Sequence, residues 1–262
     1  EVDATPQVTK AATGATAALL AATVFLSAFL LFQVQPIIGK YILPWFGSTP
    51  GVWTTALLFF QLMLLAGYLY AHFIVSKLTW TKQAILHAAL LVVALITLPI
   101  TPPEALKPID ADAPVMRILL ILTLSVGAPY LLLSATAPLI QRWFARLHPG
   151  RSPYRLYALS NLGSLLALLT YPFLVEPSLR LNVQTLSWSW GYVAFAVLCV
   201  GCALTLYRAV QRSGPEAPDG GSPGTASGAT ERGTRPGAGV SLLWVLLSAC
   251  GSGLLLATTN QM

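Results

Sequence analysis

Charged residues are scarce in this chain. Only 9% of its 262 residues are Asp, Glu, Lys or Arg, whereas 55% are hydrophobic; soluble domains carry about 25% charged residues. Because a soluble protein depends on polar and charged groups to face water, this composition excludes an ordinary soluble domain. It indicates instead a protein whose surface contacts the lipid bilayer.

Seven apolar segments reach or approach the length needed to cross a membrane, which is about 20 residues for a helix. None shows the alternation of polar and apolar residues that is typical of barrel strands, so we expect helices. The sequence therefore predicts an all-α integral membrane protein with about seven transmembrane helices. The predicted spans are Thr16–Ile38, Val52–Ile74, Gln83–Ile100, Val115–Ile140, Tyr154–Val175, Thr185–Arg208 and Val240–Thr258.

Acidic residues are missing from the middle of every predicted span. Buried carboxylates are the usual proton relays of pumps and coupled transporters. The sequence thus argues against a carboxylate-driven antiporter within these seven spans.

Cysteine and histidine are rare, with three residues of each. Cys199 and Cys202 form a C-x-x-C motif inside the sixth predicted span, but no His or carboxylate nearby in sequence completes a metal site. The chain also has no phosphate-binding loop, zinc-protease motif or nucleophile elbow. We therefore expect no cofactor, no metal site and no catalytic residues in this chain.

Lysine and arginine are distributed unevenly, and their distribution predicts the orientation. Positive charge concentrates on the cytoplasmic side of membrane proteins, which here gives a multi-pass protein of the plasma (inner) membrane with a cytoplasmic amino terminus. The tryptophans lie near span ends, as expected for residues in the membrane interface. Eleven basic residues fall on the cytoplasmic side (Lys10, Lys77, Lys82, Arg142, Arg146, Arg151, Arg155, Arg208, Arg212, Arg232 and Arg235) and four on the other (Lys40, Lys107, Arg117 and Arg180).

The net charge of +6 is then explained by loops that face anionic lipid headgroups. No basic face is interleaved with exposed aromatic residues, so we expect no nucleic-acid partner. The lipid bilayer itself is the first expected partner.

Composition divides the chain into four parts. We expect a cytoplasmic tail at 1–15, a six-helix membrane domain at 16–210, a flexible cytoplasmic linker at 211–239 that is rich in Gly, Pro, Ser and Thr, and a seventh helix at 240–262. Six helices, a long cytoplasmic loop and a renewed apolar run match the plan of major facilitator proteins. The sequence thus predicts a major-facilitator-like six-helix half followed by the start of a truncated second half.

Six stretches carry a resemblance to a known family: FLSAFLLFQVQP at 25–36, YILPWFG at 41–47, PGVWTT at 50–55, LAGYLYAH at 65–72, LYALSNLGS at 156–164 and LLATTNQM at 255–262. They resemble the membrane portion of spermidine-synthase-like polytopic membrane proteins, the major facilitator/spermidine synthase fusions. The resemblance implies a relation to polyamine-type enzymes and a soluble aminopropyltransferase-like domain as a partner. This chain lacks the strand, glycine-rich turn and helix of such a domain, so the resemblance does not give it that chemistry.

Uncharged polar side chains inside the spans are the candidate substrate-lining residues: Gln33, Gln35, Gln61, Tyr130, Tyr157, Asn161 and Ser164. An amide in hydrocarbon costs several kcal/mol unless it is hydrogen-bonded, so these groups should face neighbouring helices. They either hold helices together or line a path for a substrate, and both interpretations stay open at this point.

Lys40 and Glu176 follow the first and fifth predicted spans on the outer side. They could pair across an outer vestibule as a gate. Alternatively, Lys40 extends to the headgroups and Glu176 is simply solvated.

Two functions follow from these features. The first is a transporter-like membrane module that binds or moves a small polar or cationic metabolite. The second is a non-transporting accessory or anchoring subunit that scaffolds other membrane subunits or a soluble enzyme domain. A continuous polar cavity would favour the first, and polar residues sealed in helix contacts would favour the second.

Overall fold

The structure, a computed structural model, describes residues 5–107, 114–148 and 151–213, and the single positions 239, 243, 246, 247 and 250. The chain divides into two compact units, Glu1–Pro223 and Gly224–Met262. Most of the predicted linker and of the predicted seventh helix lies outside the described residues. The single described positions of the second unit are helical.

The described part of the first unit is built from helices and contains no strand. Its α-helices are α1 (Thr5–Phe46), α2 (Pro50–Lys77), α3 (Trp80–Ala94), α4 (Pro114–Leu122), α5 (Ala128–Leu147), α6 (Tyr154–Thr170), α7 (Glu176–Ser178) and α8 (Leu181–Ser213). A π-helical turn, Thr123–Gly127, joins α4 to α5, and a second one, Tyr171–Val175, joins α6 to α7.

Six of these helical segments are long and apolar enough to cross a membrane, so the protein is a multi-pass helical membrane protein. They run over Gly14–Phe46, Pro50–Lys77, Trp80–Thr97, Pro114–Leu147, Tyr154–Ser178 and Leu181–Gln211. The first six predicted spans all overlap them. The first and fourth of these segments continue eight and seven residues beyond the predicted ends at Ile38 and Ile140. Lys40, Arg142 and Arg146 lie in these extensions, and long basic side chains can extend to the headgroups without ending the helix.

A proline lies at or close to each π-helical turn. Pro129 is the second residue after the end of the first turn, and Pro172 lies within the second turn. A proline ring has no N–H to donate and clashes with the carbonyl group four residues earlier. A wider turn relieves that clash without ending the helix.

Helix α1 is central to the packing of the first unit and contacts α2, α5, α6 and α8. Large aromatic side chains fill the interior, among them Trp143, Trp188, Tyr130 and Tyr192. The Trp188 indole Nε1 donates to the Leu30 carbonyl oxygen at 2.9 Å, which ties α8 to α1.

The interpretation of the tryptophans as interfacial residues is wrong for three of them. Trp80, Trp143 and Trp188 are buried between helices, with exposed fractions of 6%, 0% and 2%. Their position near a span end was compatible with the interface, but their rings pack inward because neighbouring helices cover them. Trp53 and Trp190 are exposed, as the interpretation requires.

Candidate functional site

Four helices, α1, α2, α5 and α6, line a partly open cavity of about 170 Å³. It is lined by Ser27, Ala28, Leu31, Phe32, Gln35, Gln61, Leu64, Tyr68, Tyr130, Leu133, Ser134, Ala137, Ser160 and Ser164. Amide, phenol and hydroxyl groups therefore meet in an otherwise apolar setting. None of these lining side chains carries a charge.

Helical periodicity explains why these residues share one cavity. The lining residues of α5 are spaced three, four and seven positions from Tyr130, and those of α2 three and seven from Gln61. Ser160 and Ser164 of α6 lie one turn apart. Residues at these spacings fall on one face of a helix, so each helix presents one polar-containing face to the cavity.

A hydrogen bond between two lining side chains connects α1 to α5. The Gln35 side-chain amide Nε2 donates to the Tyr130 hydroxyl oxygen at 3.2 Å. The Tyr130 ring is buried and packs against Phe60, with ring centroids 5.0 Å apart. Since the phenol accepts from Gln35, it retains its own O–H to donate to another group.

Three serine hydroxyls of the cavity bond to the backbone of their own helices, and that of Ser134 also lies 3.5 Å from the Met63 carbonyl oxygen of α2. Ser134 Oγ donates to the Leu131 carbonyl oxygen at 2.7 Å, and Ser164 Oγ donates to that of Ser160 at 3.1 Å. Ser27 Oγ similarly donates to Val24 at 2.9 Å. Each hydroxyl oxygen keeps a lone pair that can accept a hydrogen bond from a solute.

Two glycines allow the walls of the cavity to approach closely. A Cβ at Gly163 on α6 would lie 2.6 Å from the Phe25 carbonyl oxygen of α1. A Cβ at Gly67 on α2 would overlap the Ser134 hydroxyl of α5. Small residues at such contacts are typical of helix packing in membranes, and here they set the width of the cavity.

The cavity brings together four of the seven predicted lining residues: Gln35, Gln61, Tyr130 and Ser164. Gln33 is buried but lies outside the lining. Gln33 and Gln35 are two positions apart, which is about 200° around a helix, so both cannot face the same space.

Tyr157 and Asn161 are also outside the lining, and both are exposed. The structure therefore does not bring them together with Ser164 in this cavity wall, and a substrate-lining role for Tyr157 and Asn161 stays a prediction.

The sequence interpretation missed Ser27 and Tyr68 as lining residues. Ser27 lies eight positions before Gln35, and Tyr68 lies seven after Gln61. Extending the same helix faces by two turns from these glutamines would have found both.

Lys40 and Glu176 lie at one end of the helices, where α1 approaches its end and α7 begins. Lys40 Nζ is 2.6 Å from Glu176 Oε1, and the two side chains are 37% and 41% exposed. The ion pair therefore connects the first and fifth spans, and a gating role for it stays a prediction.

A second group of polar side chains is sealed between α2, α3 and α5. The His87 ring is buried, with Nδ1 3.4 Å from the Tyr70 hydroxyl and Nε2 3.3 Å from Thr136 Oγ1. The Trp143 indole donates to Gln83 Oε1 at 3.5 Å. These side chains satisfy one another, which is the behaviour expected of groups that hold helices together.

The cysteines of the C-x-x-C motif are buried thiols. Cys202 Sγ lies 3.2 Å from Thr23 Oγ1, which joins α8 to α1. Within the described ranges, no group of three His, Cys, Asp or Glu side chains is placed to hold a metal ion.

Comparison of the chain with models of protein families, with curated proteins and with solved structures finds no match.

Proposed function

We propose that the cavity between α1, α2, α5 and α6 binds a small polar or cationic metabolite, and that the protein is a transporter-like membrane module. The observation that carries this proposal is the convergence of Gln35, Gln61 and Tyr130 from three helices on one cavity. Polar groups that only hold helices together would instead fill the space between them, as His87 and Tyr70 do.

The size of the cavity limits the solute. A volume of about 170 Å³ holds about five or six water molecules at roughly 30 Å³ each. This suits a compact solute of similar volume rather than a nucleotide or a drug-sized molecule, whose pockets are about 300–1,000 Å³.

The chemistry of the lining suits hydrogen-bonding solutes. Amide carbonyl and hydroxyl oxygens accept hydrogen bonds from an ammonium or hydroxyl group, and the Tyr130 O–H can donate one. The rings of Phe32, Tyr68 and Tyr130 also line the cavity, and aromatic faces attract cations. A small amine is therefore the first class to test, in agreement with the polyamine class that the resemblance to spermidine-synthase-like membrane proteins implies.

The same proposal includes the arrangement of the whole protein in the membrane. We propose a major-facilitator-like half in the plasma (inner) membrane, with the amino terminus in the cytoplasm. The support is the concentration of Arg142, Arg146, Arg151 and Arg155 at one end of the helices and the usual bias of positive charge to the cytoplasmic side.

The alternative is a scaffold subunit that binds other membrane subunits or an aminopropyltransferase-like domain. Large apolar side chains are exposed along α2, α3 and α6, such as Leu65, Val93 and Leu165. Lipid covers such faces equally well, so exposed apolar side chains do not distinguish a scaffold from a transporter. The cavity is the more specific observation, and it favours binding of a solute.

Binding and uptake of radiolabelled putrescine, with glycerol as an uncharged probe, test the proposal. Binding is measured on the purified full chain and uptake in proteoliposomes. We expect Tyr130→Phe to weaken putrescine binding roughly fivefold, because it removes a hydrogen-bonding hydroxyl that contributes about 1 kcal/mol.

Tyr171→Phe is the matched control. The Tyr171 hydroxyl donates to Gln184 Oε1 at 3.3 Å and does not line the cavity, so its removal should leave binding unchanged. Binding without uptake would support the site but contradict transport. Absence of binding of both probes, or equal effects of the two variants, would overturn the proposal.

A further inference from the structure

A second and larger cavity, of about 790 Å³, lies at the opposite end of the helices from Lys40 and Glu176. It is formed where α1, the end of α5 and the beginning of α6 meet. Its lining residues are Ala17, Ala18, Ala21, Phe144, Arg151, Ser152, Tyr154, Arg155 and Leu156. Its volume is within the range of about 300–1,000 Å³ that ligand pockets occupy.

The two arginines of this cavity have no anionic partner in the part of the chain that the structure describes. Two neighbouring arginines behave differently: the guanidinium groups of Arg142 and Arg146 lie 5.8 and 5.9 Å from the Trp80 ring centre. A ligand in the cavity would therefore contact the guanidinium groups of Arg151 and Arg155, and not those of Arg142 and Arg146. Guanidinium groups bind phosphate oxygens with two parallel hydrogen bonds.

The beginning of α6 adds to the attraction for an anion. Tyr154 and Arg155 open this 17-residue helix, and the Leu156 N–H of its first turn already donates to the Pro153 carbonyl oxygen at 2.8 Å. The N–H groups at a helix start carry a partial positive charge that favours phosphate. Ser152 Oγ accepts from the Tyr154 N–H at 3.3 Å and also lines the cavity.

The opposite wall is apolar. Ala17, Ala18 and Ala21 of α1 leave a shallow surface with no polar side chain, and Phe144 and Leu156 continue it. Inorganic phosphate has no apolar part that could contact this wall, whereas the acyl chain of a lipid would cover it. Basic pockets between membrane helices on the cytoplasmic side are known to bind anionic headgroups.

We propose that this cavity binds an anionic phospholipid, with Arg151 and Arg155 contacting the phosphate and the alanine face of α1 contacting an acyl chain. The site is independent of the central cavity and of the function proposed for it.

Binding of phosphatidylglycerol to the purified full chain tests the proposal, with phosphatidylcholine and inorganic phosphate as separate arms. We expect the double variant Arg151→Gln/Arg155→Gln to bind phosphatidylglycerol at least tenfold more weakly. The matched control is Lys82→Gln/Arg208→Gln, which removes the same charge from exposed positions outside the cavity and should change binding less than twofold.

A second variant tests the apolar wall without changing charge. Ala18→Leu narrows the cavity and should weaken phosphatidylglycerol binding several-fold, even if the arginine variant does not fold. Equal losses in both double variants would show diffuse attraction to the basic end and would overturn the proposal. Inorganic phosphate binding as tightly as phosphatidylglycerol, or phosphatidylcholine binding equally well, would also overturn it.

Discussion

At the scale of single residues, the Lys40–Glu176 ion pair connects two helices that are far apart in sequence. The 2.6 Å distance gives it a charge-assisted hydrogen bond. Both side chains are more than a third exposed, so water or headgroups screen the attraction, and exposed pairs contribute about 0.2–1 kcal/mol. The pair thus adds little to overall stability but can fix the end of α1 against α7.

A double-mutant cycle on thermal stability in detergent tests this pair. Lys40→Gln and Glu176→Gln should each lower the unfolding temperature, and the two effects should be less than additive, with a coupling of about 0.5–1 kcal/mol. The charge swap Lys40→Glu with Glu176→Lys should recover part of the loss. Additive effects would show two independent charges, and the outer-gate hypothesis should then be abandoned.

At the scale of helices, the contact between α1 and α6 depends on Gly163. A side chain there would meet backbone rather than a movable side chain, because the Phe25 carbonyl oxygen is 2.6 Å from the position of a Cβ. Overpacking of this kind typically costs about 1–3 kcal/mol. This contact also forms one wall of the central cavity.

We therefore expect Gly163→Ala to destabilise the protein by about 1–3 kcal/mol, measured as a lower unfolding temperature in detergent. Gly201→Ala is the control, because it also lies in a helix that packs on α1, but its Cβ would be 3.4 Å from a movable Leu19 methyl group. Alanine favours a helix by up to about 1 kcal/mol over glycine, so the control should be neutral or stabilising. Equal destabilisation of the two variants would contradict the proposed role of Gly163.

Apolar runs predict where the six described helices lie, but not which face of each helix turns inward. In a soluble protein the buried face is marked by hydrophobic residues, whereas in a membrane the lipid-facing residues are equally apolar. This is why Trp143 and Trp188 were placed in the interface although they are buried. Polar side chains were an incomplete signal: they pointed to Gln61 and Tyr130 but missed Tyr68, which lies on the same face of α2 as Gln61.

At the scale of the whole molecule, the two ends of the helices differ in charge and in cavities. The end with Arg151 and Arg155 has the larger cavity with an apolar wall, and the other has the Lys40–Glu176 pair. The central cavity lies in the membrane-spanning region, lined by four helices. Binding of a polar solute requires that water reach this cavity.

Labelling of single cysteines by a small, charged, membrane-impermeant thiol reagent tests that requirement most directly. The three native cysteines are first replaced by alanine, and Ser27→Cys on α1 or Ser164→Cys on α6 then places one thiol in the cavity. Ser189→Cys is the control, because Ser189 is buried on α8 and does not line the cavity. We expect both cavity thiols to react and putrescine to slow the reaction, while residue 189 stays unreactive. Cavity thiols as inert as the one at 189 would show a sealed helix contact and would contradict the proposed binding site.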